Sequence, residues 1–368
     1  MPLSRRRLLA ATGAAVPLLL AAPSAVAQPA TTPPDLATPE GWLTWISANR
    51  DGLGLVVDDG RGNRLLHRAD AAQPLASAVK VVHLAAYSAA VAEGELDPKE
   101  QIRLGDWERC YVPTDGYAHA TTLKHLGIPT DSTGLYAADP DHRVTLDDMA
   151  SAMIMFSDSA VPDFLRNRLG DAALRKAAAA GGWARPDIRS MCAEYLFLLP
   201  EFAPPAQLPT PARRIFGYAL EQRYSNDADL RKRVLDRLMR DGLPPYGQQL
   251  RWGSKTMSST ARQLASLHRA IATGGVPAEA ARTHLERPLS GHLPPGVLGI
   301  GMKGGSLPGV LTCGMSVRRQ DGTVAWGALL AHGDIALEQV GTGDPGLPLL
   351  LAMQQPEWRD RLARALAG

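Results

Sequence analysis

The sequence predicts an α/β (α+β) protein: an antiparallel sheet built from N- and C-terminal segments, flanked by helices, with an inserted all-helical subdomain. Two strand pairs and the chain between them carry this expectation. Near the N-terminus, Gly54-Leu55-Val56-Val57 and Arg64-Leu65-Leu66-His67 flank the turn-forming Asp58-Asp59-Gly60-Arg61-Gly62-Asn63. Near the C-terminus, 309–317 and 324–330 flank Arg319-Gln320-Asp321-Gly322. Between the two hairpins the apolar residues recur mostly at helical spacing, and no internal repeat is present.

The elements follow in order. In 40–49, Trp42, Leu43, Trp45 and Ile46 fall on one face of a first helix. Residues 75–92 are nearly all apolar, without Gly or Pro, as expected of a helix buried on most of its faces. Residues 105–141 carry Gly, Pro and Asp throughout and read as a loop able to cover a site. Thr145-Leu146-Asp147-Asp148 has N-cap chemistry and opens a helix through Phe156. Helices are expected at 160–169, 172–180, 227–239, 260–272 and 357–367, with 187–211 irregular. The domain so described runs 40–368, its sheet part about 40–73 and 295–368 and its helical part about 74–294.

Ahead of it, Arg5-Arg6-Arg7, a short apolar run and Ala25-Val26-Ala27 form the three parts of an export signal over 1–27. The consecutive arginines resemble a twin-arginine signal. The apolar run, about 15 residues with Gly13 and Pro17 inside it, is short of the roughly 20 that span a bilayer. The expectation is therefore a secreted, periplasmic or cell-envelope protein with no stable membrane span once the signal is cleaved. Residues 28–39, rich in Pro and Thr, read as a flexible leader.

Composition excludes several classes. At 45% hydrophobic and 21% charged, the 368 residues are too apolar for a disordered chain. Lys and Arg number 39 against 37 acidic residues, and three of the 39 lie in the export segment. No concentrated basic surface for nucleic acid is implied. Three cysteines form no disulfide framework and no zinc pattern, although Cys110 and Cys192 could pair under oxidising conditions. Cys313, in the middle of a strand, reads as a buried small hydrophobe. No metal or cofactor is expected. Gly299 to Gly304 and Gly341 to Gly346 both spell GxGxxG but lack the strand–turn–helix setting of a dinucleotide site, so both read as turn glycines. Asp115-Gly116-Tyr117-Ala118-His119 could hold a metal or a polar group of a substrate, but reads first as a loop turn, since a metal needs several convergent ligands.

Three short motifs carry chemistry. Ser77 and Lys80, spaced i and i+3, share a face of the buried helix. A lysine in a dry site has a lowered pKa and can take the proton of a neighbouring hydroxyl, which makes serine a nucleophile. Of seven lysines, Lys80 alone has Ser three residues before it. Ser157-Asp158-Ser159 lies between two helices, where it can serve as an N-cap or pass a proton to a leaving group. Lys303-Gly304-Gly305-Ser306 leads into the late hairpin, with a cation beside glycines that permit close backbone approach.

In this order the three motifs resemble those of the serine β-lactamase and penicillin-binding protein superfamily, especially the class A β-lactamase-like branch. Gln73-Pro74-Leu75-Ala76-Ser77-Ala78-Val79-Lys80 looks like the family's nucleophile helix, and 144–149 with 156–159 looks like its second motif. The resemblance implies a β-lactamase-like fold and assigns roles: Ser77 nucleophile, Lys80 general base, Ser157 proton shuttle, and Lys303 electrostatic anchor. It further implies a substrate-binding edge at Ser159, Gly304, Gly305 and Ser306, with the N–H groups of Ser77 and Ser306 as oxyanion hole.

The sequence departs from the family at Ser159, where the family has Asn, and at Gly304, where it has Thr. No Glu-x-x-Leu-Asn follows the second motif. Glu194, in Cys192-Ala193-Glu194-Tyr195-Leu196, lies at about the right distance to activate water and is the candidate for that role. The expectation is an exported, monomeric serine hydrolase acting through an acyl-serine on an ester, amide or β-lactam, with a small-molecule or peptidoglycan-like substrate. Its alternatives are a D-alanyl-D-alanine carboxypeptidase or esterase without efficient β-lactam turnover, and a non-catalytic penicillin-binding or sensor protein.

Overall fold

A computed structural model describes residues 33–367. The export segment 1–27 and the start of the leader lie outside the described residues. The central feature is a five-stranded antiparallel sheet of β1 (Leu53–Asp58), β2 (Arg64–His67), β3 (Val297–Leu307), β4 (Val310–Arg319) and β5 (Val324–His332). Its order is β2-β1-β5-β4-β3, so the N-terminal hairpin joins the C-terminal strands through β1 and β5. The sheet expected from the two ends of the chain is the one observed.

The sheet is covered on both faces, which is why its strands are apolar almost throughout rather than alternating. Leu55 and Val57 of β1 point to one face, with Leu329 and Ala331 of β5. There they pack against Trp42, Trp45 and Ile46 of the first helix, Pro39–Ala48, and against the C-terminal helices Gly346–Gln354 and Pro356–Ala367. Val56, Ala328 and Leu330 point the other way, into the larger core formed by the inserted helices. Helix Ala261–Thr273 lies across that face against β4 and β5.

The structure differs from the sequence reading in several places. The segment 105–141 is not simply a loop: it holds the helix Ala118–His125 and buries Trp107, Tyr111 and His119. The irregular stretch carries a short helix, Met191–Leu196, whose backbone N–H groups of Met191 and Cys192 are received by the buried Asp163 carboxylate at 3.1 and 2.6 Å. Helices Thr210–Asn226 and Tyr246–Gly253 were not expected. Gly299 to Gly304 lies inside β3, not in a turn.

Elsewhere the local signals hold. Thr145 and Asp148 form a capping box at the start of helix Leu146–Met155. Gly170, at φ 79° and ψ 156°, divides Val161–Ala180 where the sequence suggested two helices. Cys313 is fully buried in β4, and Cys110 and Cys192 are buried free thiols. Among the described residues, no helix is long and apolar enough to cross a membrane, and no group of three or more His, Cys, Asp or Glu could hold a metal ion.

Candidate active site

Ser77 sits in a single 3-10 turn, Ala76–Val79, that runs directly into helix Lys80–Ala92. The turn is held at its entry. Leu75 donates its N–H to the Met257 carbonyl at 2.9 Å, and the Leu75 carbonyl accepts from Thr312 Oγ1 of β4 at 2.7 Å. Ala76 is forced to φ 48°, a left-handed conformation that a non-glycine residue keeps only when its surroundings impose it. The result exposes Ser77 in part while its neighbours Ala76, Ala78, Val79 and Lys80 are buried.

Lys80 is the hub. Its Nζ lies 3.0 Å from Ser77 Oγ, 3.2 Å from Ser157 Oγ, 3.1 Å from Ser159 Oγ and 2.5 Å from the Ser157 carbonyl. Burial pushes the amine from its usual 10.5 down to about 8, against the pull of the Asp115, Asp158 and Asp163 carboxylates. A neutral fraction of roughly a tenth at pH 7, in contact with a partly exposed hydroxyl, is what a serine nucleophile needs.

Ser157 follows the end of helix Leu146–Met155 and is itself left-handed, at φ 62°. That conformation turns its hydroxyl between two amines, because Lys303 Nζ also donates to Ser157 Oγ, at 3.0 Å. Lys303 projects from β3 and gives a second hydrogen bond to the Gly304 carbonyl at 2.8 Å. Burial, reinforced by the charge of Lys80, holds its amine well below the ordinary lysine range. Ser159 completes the turn and shares its hydroxyl with Tyr195 Oη at 3.2 Å.

The turn itself rests on a buried ionic relay from the covering segment. Asp158 accepts from the Ala160 N–H at 2.9 Å and lies 2.7 Å from His119 Nδ1, while His119 Nε2 lies 2.9 Å from Glu108 Oε1. Both partners can only accept while ionised, so the imidazole donates from both nitrogens and is charged. Burial alone would lower its pKa, but Asp158 and Glu108 more than reverse that and raise it to about 10. His119→Leu would leave two carboxylates buried without their cation and is expected to cost about 3–5 kcal/mol of stability. Because the folded pKa lies above the unfolded value near 6.5, the relay's contribution is complete below pH 6.5 and is lost as pH rises through about 10. Unfolding temperatures of wild type and His119→Leu should therefore converge between pH 6.5 and 10. A gap that widens over this range would contradict the charged relay.

Strand β3 passes the nucleophile turn at backbone contact. A Cβ on Gly305 would lie 2.5 Å from Ser77 N and 2.7 Å from Ala78 N, so only glycine allows this approach. A pocket opens at this point, walled by Ser77, Ser157, Ser159, Gly304, Gly305 and Ser306, and also by Tyr195, Thr114 and Asp115. Lys80 and Lys303 lie behind the serines.

The structure thus brings together eight of the nine residues expected from sequence: Ser77, Lys80, Ser157, Ser159, Lys303, Gly304, Gly305 and Ser306. Glu194 is the exception: the structure does not bring it to the other eight. Its carboxylate receives Arg213 Nε at 3.0 Å and Nη2 at 2.6 Å, and Arg189 Nη1 at 3.2 Å. Clamped by two guanidinium groups, it fastens helix Met191–Leu196 and does not line the pocket that holds Ser77. Its neighbour Tyr195 does line that pocket. Sequence reasoning missed Tyr195 because nothing local distinguishes it from a packing tyrosine.

Comparison with known proteins bears on the fold and the family. The family model described as the beta-lactamase enzyme family matches residues 43–290. Among solved structures, the chain is similar to a beta-lactamase from Sphaerobacter thermophilus at 18% identity, over 84% of this chain and 96% of that one, with a TM-score of 0.53. It is similar to the chromosome-encoded beta-lactamase of Vibrio parahaemolyticus at 13% identity, over 87% and 100%, with a TM-score of 0.52. A beta-lactamase from Chitinophaga pinensis gives 14%, 89%, 97% and 0.50. At these identities the structural likeness speaks for the fold. No curated protein matches the chain. With the family model covering most of the described chain and the three motifs assembled around one pocket, the protein belongs to the beta-lactamase enzyme family and is a serine hydrolase of β-lactamase-like fold.

Proposed function

We propose that the protein is an exported hydrolase that cleaves esters or amides, β-lactams among them, through an acyl-Ser77 intermediate. The observation that carries the reading is the 3.0 Å contact between Ser77 Oγ and a buried lysine whose pKa has fallen to about 8. Neutral Lys80 takes the Ser77 proton as Oγ attacks the carbonyl carbon. The N–H groups of Ser77 and Ser306 donate to the developing oxyanion, and the Lys303 amine, hydrogen-bonded to Ser157 Oγ, keeps that hydroxyl oriented beside the reacting centre. Collapse of the tetrahedral intermediate expels the leaving group, which takes a proton from Ser157 Oγ; Lys80, 3.2 Å away, replaces it. The export reading rests on residues 1–27 alone.

Gly305→Ala tests the oxyanion assignment. The added methyl meets backbone atoms on the nucleophile turn, so strand and turn must separate and the two N–H groups lose their alignment. Acylation by an activated ester should slow by about 10²-fold or more, the scale of losing one oxyanion donor. Unchanged acylation would contradict the assignment.

The clamp on Glu194 favours a restricted version of this function. Deacylation of a penicilloyl-serine needs a base to activate water, and Glu194 has both oxygens committed to arginines. Ester cleavage or D-alanyl-D-alanine carboxypeptidase activity without efficient β-lactam turnover is therefore the favoured form. Turnover of nitrocefin, p-nitrophenyl esters and a pentapeptide ending in D-Ala-D-Ala, measured side by side, decides. Ester or peptide turnover with a persistent β-lactam adduct is expected. Rapid nitrocefin hydrolysis would overturn the restriction, and acylation without turnover of any substrate would favour a sensor.

A further inference from the structure

Asp115 is the one carboxylate, among the described residues, on the wall of the Ser77 pocket. It comes from the covering segment, is 9% exposed, and accepts a hydrogen bond at Oδ1 from Tyr111 Oη at 3.0 Å. Its other oxygen, Oδ2, is buried and has no hydrogen-bond partner among the described residues. The adjacent Thr114 Oγ1, on the same wall, is likewise buried and without a partner. A carboxylate oxygen left this way costs stability unless something that enters the pocket satisfies it.

The protein's own cations are not placed to do so. Lys80 donates to Ser77, Ser157 and Ser159, and Lys303 to Ser157 and Gly304. A metal ion would need further ligands, and none of the described residues groups with Asp115 to provide them. Tyr195 and Trp252 add aromatic surface to the same pocket, which suits an organic cation. At Ser159 the short hydroxyl is shared between Lys80 and Tyr195 and offers no amide group to a substrate.

We propose that Asp115 and Thr114 form an ammonium-binding subsite, and that the enzyme selects acyl donors carrying a protonated primary amine near the scissile carbonyl. This rests on the acyl-Ser77 reading and names its substrate class. The ammonium donates to Asp115 Oδ2 and Thr114 Oγ1 while Ser77 attacks the neighbouring carbonyl. Charge-assisted hydrogen bonds of this kind correspond to about 10- to 100-fold in affinity.

The p-nitrophenyl esters of alanine and propionic acid differ by one amino group beside the scissile carbonyl, and those of phenylglycine and phenylacetic acid differ in the same way. Second-order rates of Ser77 acylation, followed by intact mass and by p-nitrophenol release, should favour the amine in each pair by about 10-fold or more. Asp115→Asn, which retains an oxygen for Tyr111, should bring the ratio towards one, and Thr114→Val should lower it. The preference should also fade as pH falls through about 6. Burial and the facing Asp158 raise the Asp115 carboxyl to that value, against His119, Lys80 and the Tyr111 hydrogen bond, while the Tyr195 hydroxyl stays neutral throughout. No preference in the wild type, or a ratio that Asp115→Asn leaves unchanged because both partners slow equally, would overturn the subsite. Absence of any Ser77 adduct with all four compounds would instead overturn the acyl-serine reading beneath it.

Discussion

Ser77→Ala is expected to abolish covalent labelling by penicillin or an activated ester and to lower ester turnover by about 10⁴-fold or more, as loss of a nucleophile does elsewhere. The prediction is specific because Lys80 touches three serine hydroxyls within 0.2 Å of one another in distance: 3.0 Å to Ser77, 3.1 Å to Ser159 and 3.2 Å to Ser157. Proximity to the amine does not choose among them. Access does, since Ser157 and Ser159 are 6% and 4% exposed while Ser77 faces the pocket in part. Ser157 is further restrained by Lys303, and Ser159 by Tyr195. The substitution removes one partly solvated hydroxyl and leaves Lys80 its other acceptors, so the unfolding temperature should change little. Intact mass with either reagent decides: an adduct on wild type and none on Ser77→Ala is expected, and equal labelling of both would place the nucleophile elsewhere.

The residues that define this experiment were legible in the sequence because each belongs to a short motif whose meaning is local. Ser77 and Lys80 are one helical turn apart, Ser157 ends a helix announced by its capping box, and Lys303 stands beside glycines. The two hairpins were legible for the same reason, since Asp/Gly/Asn turns sit between β-rich runs. What failed depended on tertiary context. Strand β3 holds Gly299, Gly301, Gly304 and Gly305, a composition that reads as turn, yet at Gly305 the glycine serves close approach to the nucleophile backbone. Helix Thr210–Asn226 has a weak apolar stripe and a prolyl start, and its omission had a consequence. Arg213, which clamps Glu194, lies on it. Spacing along the chain put Glu194 in the right neighbourhood, and a charge partner on an unrecognised helix decided its role. Tyr195 has no motif at all and becomes visible only once its side chain shares the Ser77 pocket, whereas Asp115 stood in a stretch already readable as a holder of a polar substrate group.

Lys80→Arg is expected to lower acylation by about 10²- to 10⁴-fold while keeping a positive charge at the position, because guanidinium does not give up its proton at accessible pH. The distinction it draws is between a lysine that removes the Ser77 proton and one that merely attracts it. If Lys80 is the base, only its neutral form works. With its pKa brought down to about 8 by burial, roughly a tenth is neutral at pH 7, and the acylation rate should rise about tenfold per pH unit below the midpoint before levelling above it. The sign is opposite to that of a mechanism needing the ammonium, in which the rate would fall through the same range. Lys303 also has a depressed pKa and reaches Ser157, so it is the competing base. Lys303→Met separates the two: a lowered plateau with the midpoint still near 8 assigns the proton to Lys80, whereas loss of the pH dependence itself would transfer that role to Lys303. Burst rates with an activated ester between pH 6 and 10, on wild type and both variants, supply the comparison. A flat wild-type profile, or an active Lys80→Arg enzyme, would remove Lys80 from the chemistry and leave it a structural hub for the three serines.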